Sequence, residues 1–378
     1  MIRVGLNARL LHDPSLRGWN RYARNLAAAL PGQGVELVLY TDRPLDPSHL
    51  AALPAGSYTV RQSPRLIYPV WEQRWLPRQC GRDGVAVLHS PFNFGLPWSS
   101  PCPRVLTLHD AIDQVQARRS GRKERWTPAA LYHWAARTRA DRIITVSEHA
   151  KGDLVSVLGV PPVRIRVIPE AADPGFLVPV SREDGARARG RHGLASPYVF
   201  YVGGWEERKN VPFLVRAFAA ARLDGVDLVL AGGRDEQRAA LAELARECGV
   251  AERVRLLGWV EEADLPALYS EALCFVYPSL YEGFGLQLVE AMALGAPTLA
   301  SRATSLPEVL GTGGELFDPA RPDALAALLR RVALEPEYRL DLSHRARRRS
   351  EDFSWSKTAE RTRAVYDEVI RVPSHSSP

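Results

Sequence analysis

Glu282 and Glu290 are separated by seven residues in a stretch that begins Pro278-Ser279-Leu280-Tyr281-Glu282-Gly283-Phe284-Gly285-Leu286. The apolar run Ala272 to Tyr277 before it reads as a buried strand, the two glycines as a loop, and a helix is expected from about Leu286. At ~1.5 Å rise per residue, Glu290 then lies about one turn inside that helix while Glu282 stays in the loop. The start of a helix offers free N–H groups and partial positive charge, which suits a phosphate. Gly283 and Gly285 let the backbone approach closely. Carboxylates beside such a place are poor phosphate ligands but accept hydrogen bonds from sugar hydroxyls. A nucleotide-sugar combines both kinds of group.

A second constellation lies upstream. Gly203-Gly204-Trp205-Glu206-Glu207-Arg208-Lys209-Asn210 follows a strand and precedes a helix. Arg208 offers a planar fork for phosphate oxygens and Lys209 a mobile point charge. Together they suit a diphosphate leaving group, each donor being worth ~3 kcal/mol of charge stabilisation. Leu106-Thr107-Leu108-His109-Asp110 ends another strand and places His109 at a carboxyl strand end, where parallel sheets bind ligands. A lone histidine positions groups more often than it catalyses, so a positioning role is favoured over a general base. Asp110 is expected to brace the loop. Ala231-Gly232-Gly233 is expected to pass under a nucleotide base.

These segments resemble retaining glycosyltransferases of family 4, whose Glu-x7-Glu signature matches Glu282 to Glu290. The resemblance runs through Met1–Arg9, Arg104–Asp113, Arg139–Asp153, Arg164–Phe176, Tyr198–Phe218, Leu228–Gly233, Val254–Glu308 and Phe353–Val369. It implies the α/β GT-B fold: two facing Rossmann-like domains with a cleft between them and a C-terminal helix crossing back. The implied boundaries are 1–178 for an acceptor-side domain, 179–197 for a linker and 198–353 for a nucleotide-sugar domain. A helix over 354–371 and a disordered tail over 372–378 complete the chain.

The resemblance also implies roles. Glu290 would hold ribose hydroxyls. Glu282, with the amides of Gly283, Phe284, Gly285 and Leu286, would hold the donor sugar. Arg208 and Lys209 would bind the diphosphate, and His109 would meet the sugar near the reacting centre. Gly18, Gly203, Gly204 and Gly232 would let backbone approach the donor. The implied activity is retaining, metal-independent transfer of a sugar from a nucleoside-diphosphate sugar to a hydroxyl acceptor, with no cofactor besides that donor. Synthesis of surface polysaccharide or glycoconjugate is the expected setting. A glycogen- or sucrose-synthase-like transferase and a non-catalytic nucleotide-sugar-binding regulator remain as alternatives. The chain departs from the family at two places. Asn20 stands where a second loop glycine is usual, as a residue tolerant of unusual dihedrals. Glu170 stands where many members have Asn, and a structural hydrogen bond is expected of it.

Composition agrees with a water-exposed globular protein: 46% of residues are apolar and 24% charged. No apolar run reaches the ~18 residues of a membrane span, and the N-terminus turns polar too soon for a signal peptide. Cys80, Cys102, Cys248 and Cys274 form no metal-ligand spacing, so a reducing cytoplasm is expected. The net charge of +6 is concentrated before Asp173. That suits an anionic or lipid-linked acceptor, or peripheral contact with the inner face of a membrane, as well as a plain solvated surface. The basic segment Arg118–Trp126 allows the same readings. No nucleic-acid motif accompanies it.

Short apolar runs alternating with amphipathic stretches argue for parallel α/β sheets. Strands are expected at Ile2–Leu6, Val35–Tyr40, Val85–His89, Arg104–Leu108, Arg142–Val146 and Arg164–Ile168. A second series is expected at Tyr198–Val202, Leu228–Ala231, Val254–Leu257, Ala272–Tyr277 and Thr298–Ala300. Helices are expected at Trp19–Leu30, Pro128–Arg139, Glu148–Leu158 and near Trp355–Arg371.

Overall fold

The computed structural model describes residues 1–14, 18–119 and 128–371. Arg17, most of the basic segment after Arg118 and the C-terminal tail lie outside the described residues. The chain divides into two units: Met1–Glu170 with the stretch from Ser354 onward, and Ala171–Phe353.

The first unit is built on seven parallel strands: β1 (Ile2–Asn7), β2 (Val35–Thr41), β3 (Tyr58–Gln62), β4 (Val87–Ser90), β5 (Arg104–Thr107), β6 (Arg142–Thr145) and β7 (Ile165–Val167). Their order is β3-β2-β1-β4-β5-β6-β7, so the connections reverse direction between β1 and β4. The middles of the central strands are apolar because helices cover both faces. Val4, Leu6, Leu37, Leu39, Val87 and Leu88 are fully buried.

The helix Trp355–Arg371 belongs to this unit. Its Tyr366 hydroxyl lies 2.7 Å from His89 Nδ1. Glu368 receives Arg142 at 2.8 Å and Arg166 at 2.5 Å. Trp355 packs edge-on against Tyr22, and the Thr358 hydroxyl donates to the Pro169 carbonyl at 2.8 Å.

The second unit carries six parallel strands: β8 (Tyr198–Gly203), β9 (Asp227–Gly232), β10 (Val254–Gly258), β11 (Cys274–Tyr277), β12 (Thr298–Ser301) and β13 (Glu315–Phe317). Their order is β10-β9-β8-β11-β12-β13, and the reversal falls between β8 and β11. An aromatic core of Phe200, Tyr269 and Phe275 packs edge-on at 5.0–5.2 Å. The Cys274 thiol is buried there, and burial pushes its pKa up to about 12.

Three expectations need correction. The segment 179–197 is no linker: it contains the helix Arg182–Arg191, which belongs to the second unit. Ser181 caps that helix by accepting from the Asp184 N–H at 3.1 Å. Only Gly185 and Ala188 are buried on it, too narrow an apolar face to show against its Arg and Gly content. Arg191 and His192 fasten its end to Asp264 at 2.7 and 2.9 Å. Asn20 lies inside the helix Gly18–Ala29 and is not among the residues with positive φ, so it needs no unusual backbone. Finally, β3 and β13 were not expected. β3 is a half-exposed edge strand and β13 is three residues long.

Candidate donor site

The reversal between β8 and β11 opens a crevice at the carboxyl ends of both strands, the place where open α/β sheets bind ligands. Arg208 and Lys209 follow β8, and Glu282 follows β11. The structure brings all three together. Lys209 Nζ donates to Glu282 Oε1 at 2.6 Å, and Arg208 Nη1 donates to Glu282 Oε2 at 3.1 Å. One carboxylate thus bridges two cations, leaving the trio with a net charge of +1. Burial would raise the Glu282 pKa, but the charges of Lys209 and Arg208 outweigh it and hold the carboxyl below the usual range.

Backbone contacts lock the two loops. The Leu280 N–H donates to the Arg208 carbonyl at 2.7 Å. Thr304 Oγ1 accepts the Glu282 N–H at 3.0 Å. The Ser305 hydroxyl bridges the carbonyls of Glu282 and Phe284 at 3.0 and 2.9 Å. Lys209 also donates to the Tyr277 hydroxyl at 3.0 Å, which in turn donates to Gln287 at 2.8 Å. Tyr277 was missed in the sequence, where its place at the end of an apolar strand reads as core. Sequence reasoning also assigned the cations and Glu282 to separate tasks, whereas the structure couples them.

Gly285 precedes the helix Leu286–Ala293 with φ +105°, and a Cβ there would meet Leu306 at 2.8 Å. Glycine is therefore required at the turn that begins the helix. Glu290 sits in the second turn of that helix, 3% exposed, and accepts from the Tyr269 hydroxyl at 3.2 Å. Tyr269 had no sequence signal.

The glycines of β8 and β9 meet across the sheet. Gly203 pairs with Gly232, and the Gly233 N–H donates to the Gly203 carbonyl at 3.0 Å. Gly204 holds the Tyr201 hydroxyl through its carbonyl at 2.5 Å. Beyond them lies a cavity of about 310 Å³, lined by Trp205, Gly232, Gly233, Arg234, Asp235 and Trp259 among others. Gly232 and Gly233 thus floor a concave site with aromatic walls.

His109 belongs to the first unit. Its backbone N–H donates to Asn93 Oδ1 at 2.8 Å. Nε2 faces the Pro91 carbonyl at 3.1 Å and Nδ1 faces Glu170 Oε1 at 2.8 Å. Burial lowers the imidazole pKa, but the hydrogen bond and charge of Glu170 more than offset this, and the net direction is upward. Asp110 braces the loop by accepting the Ile112 N–H at 3.1 Å. Gly18, with φ +27°, opens the helix Gly18–Ala29.

Comparison with known proteins matches this organisation. The model of "Glycosyltransferase Family 4" covers residues 16–176, and that of "Glycosyl transferases group 1" covers 184–349, starting within the helix Arg182–Arg191. The chain is 34% identical over 232 residues to the O-antigen chain mannosyltransferase B of Escherichia coli, and that match covers 60% of each chain. The chain therefore spans about three fifths of the length of that curated relative. It is 31% identical to a D-inositol 3-phosphate glycosyltransferase of Corynebacterium kroppenstedtii, over 79% of this chain and 70% of the other. Sucrose-phosphate synthase from Thermosynechococcus elongatus superposes with a TM-score of 0.75 at 23% identity, over 97% of this chain and 99% of its own. Among the described residues no helix is long and apolar enough to cross a membrane. Two parallel sheets of this order, a cation pair bridged by the first glutamate of the signature, and these matches lead to one assignment: the chain belongs to glycosyltransferase family 4 and has the GT-B fold.

Proposed function

We propose that this protein is a retaining glycosyltransferase that moves a sugar from a nucleoside-diphosphate sugar to a hydroxyl acceptor. The observation that carries the reading is the Arg208–Glu282–Lys209 cluster at the strand reversal of the second unit. A diphosphate brings two negative charges or more to a trio whose own charge is +1. Lys209 gives one of its three N–H groups to Glu282 and one to Tyr277, which leaves one for a phosphate oxygen, and Arg208 adds its positive charge beside it. Glu282 holds both cations in place before the ligand arrives, so little reorganisation is needed when charge develops.

The reaction written on this geometry breaks the bond between the sugar anomeric carbon and the diphosphate oxygen. The acceptor oxygen bonds to the same carbon on the same face. Its proton passes to the departing phosphate oxygen, and the electron pair of the broken bond leaves with the diphosphate. No protein nucleophile enters, so positioning and charge stabilisation supply the rate. Arg208 and Lys209 supply the positive charge, and on this reading activity needs no divalent ion.

Glu290 is assigned to ribose hydroxyls, Glu282 and the amides of Gly283 to Leu286 to the donor sugar, and the cavity floored by Gly232 and Gly233 to the base. Gly18, Gly203 and Gly204 are assigned to close backbone approach, and His109 to a positioning role at the donor sugar near the reacting centre. The mannosyltransferase relative makes mannose the first sugar to test and a surface-polysaccharide glycan the first acceptor. A cytoplasmic enzyme working on a lipid-linked or anionic acceptor, with peripheral membrane contact, is part of the same proposal, and nucleic acid is not.

The test is incubation with UDP-, GDP-, ADP- and dTDP-sugars and candidate acceptors, with and without chelator, with the product's anomeric configuration read by NMR. Retained configuration and chelator-resistant turnover are expected. An inverted product, or turnover that needs added Mn²⁺, would refute the corresponding part. Nucleotide-sugar binding with no transfer to any acceptor would favour the non-catalytic regulator.

A further inference from the structure

The buried pair His109–Glu170 has a proton inventory that geometry alone constrains. His109 is 6% exposed and Glu170 7%. The Pro91 carbonyl can only accept, so the Nε2 atom 3.1 Å from it must carry a hydrogen. With that hydrogen held by the carbonyl, Nε2 cannot act as a base. Nδ1 lies 2.8 Å from a carboxylate oxygen. A carboxylate there accepts, so Nδ1 carries a hydrogen as well and the ring is an imidazolium. The asparagine that many family members have at the Glu170 position could not hold that second proton by charge.

We infer that Glu170 is a positioning residue that keeps His109 doubly protonated, fixing its ring and excluding it as a general base. The inference rests on the proposed transferase reading only for its effect on turnover. Among the described residues, aromatic and titratable groups surround His109. Tyr22, from the helix Gly18–Ala29, meets the ring edge-on at 4.6 Å, and Trp19 stacks on it at 6.2 Å. His89 on β4 is held neutral, its pKa pushed down to about 3 by burial and by His109. Asp110 is the next residue in the chain. Glu170 makes a direct carboxylate contact with the ring, and Tyr22 stays neutral because burial drives its pKa upward. The raised His109 pKa also sets the sign for stability. The pair's contribution is complete below pH 6.5 and is lost as pH rises through the folded-state value.

The test compares the wild type with Glu170→Gln, Glu170→Asn and Glu170→Asp. First, the His109 ring is titrated by ¹⁵N NMR with no substrate present. The wild-type ring is expected to titrate above 6.5. Removing the charge should lower that value by about one pH unit or more, and Glu170→Asp should restore part of the shift. Second, the pH profile of kcat/KM is measured for nucleotide-sugar turnover. The alkaline limb should move with the ring titration. A merely structural role would lower activity evenly across pH and would not be rescued by aspartate. Superimposable ring titrations in wild type and Glu170→Gln would overturn the pair itself. A shifted ring titration with an unmoved alkaline limb would overturn its role in turnover. Failure of the wild type to transfer any sugar would count against the transferase reading, while the ring titration would still decide the pair.

Discussion

Lys209 Nζ sits 2.6 Å from Glu282 Oε1, joining two buried side chains 73 residues apart in the chain. The contact exists because β8 and β11 are neighbours in the sheet, with the loops after them sharing one crevice. It gives Glu282 a part in stability beside its proposed part in ligand binding.

Lys209→Ala should therefore destabilise the protein. Removing one partner leaves a buried carboxylate with its charge partly uncompensated, at a cost of about 3 kcal/mol. Adding Glu282→Gln to Lys209→Met should recover much of that loss without restoring turnover. Urea unfolding at pH 7 checks both variants. Equal stability of Lys209→Ala and wild type would show that the pair is loose in solution. The lowered Glu282 pKa adds a sign. The pair's stabilisation is present above about pH 4.5 and disappears as pH falls through the folded-state value.

The two glutamates of the signature should fail differently. Glu290→Gln keeps the shape and one acceptor but loses the charge that strengthens hydrogen bonds from ribose hydroxyls. Such bonds are worth about 1.5–3 kcal/mol, so free nucleoside diphosphate should bind ~10- to 100-fold more weakly. Glu282→Gln should lower turnover and blur donor-sugar choice without weakening free nucleotide, because it raises the charge of the Arg208–Glu282–Lys209 trio from +1 to +2. Calorimetric titration of free nucleotide and intact nucleotide-sugar separates the two. Equal losses of free-nucleotide affinity would refute the division.

His89 should make stability acid-sensitive. Its two ring nitrogens are taken by Tyr366 and Thr107 at 2.7 and 2.9 Å, and its folded-state pKa is pushed down to about 3. The unfolded chain binds this proton near pH 6.5. Between about pH 6.5 and 3 the unfolded state therefore holds more protons, and stability falls with falling pH by about 1.4 kcal/mol per unit. His89→Gln lacks that slope. The difference in urea-unfolding free energy between wild type and variant should shrink from pH 6 to pH 4, and a constant difference would remove the assignment.

Gly232→Ala should disturb the sheet itself. Its φ of +91° disfavours a side chain, and a Cβ would come within 2.3 Å of the Gly203 carbonyl oxygen across the β8–β9 pair. Strain of about 1–3 kcal/mol is expected, with weaker nucleotide binding as the loop moves. Gly225→Ala is the control. It also has positive φ, +68°, but nothing within 4 Å, so it should cost only about 1 kcal/mol. Thermal denaturation of both variants checks the contrast, and equal losses would show that the close approach does not matter.

Much of the fold was legible because parallel strands buried on both faces read as apolar runs of four to six residues, and the helices between them as amphipathic stretches. β1, β2, β8 and β9 match expectation to within a residue or two. β3 escaped because an edge strand with exposed Arg61 and Gln62 has no apolar signature. The helix Arg182–Arg191 escaped because it buries two small residues and shows arginines elsewhere.

At the site, local sequence pattern carried the glycines at the strand ends and the residue types beside them. These depend on local backbone conformation and on the alternation of strand and helix. The tertiary structure alone decided that Lys209 and Arg208 share Glu282, that Tyr277 and Tyr269 support the two sides of the loop, and that His109 is tied to Glu170. The contacts of Glu282 and of His109 join segments that follow different strands, and that of Tyr269 joins two helices. Strand order is set by how separated segments pack, and no local pattern in the chain encodes it.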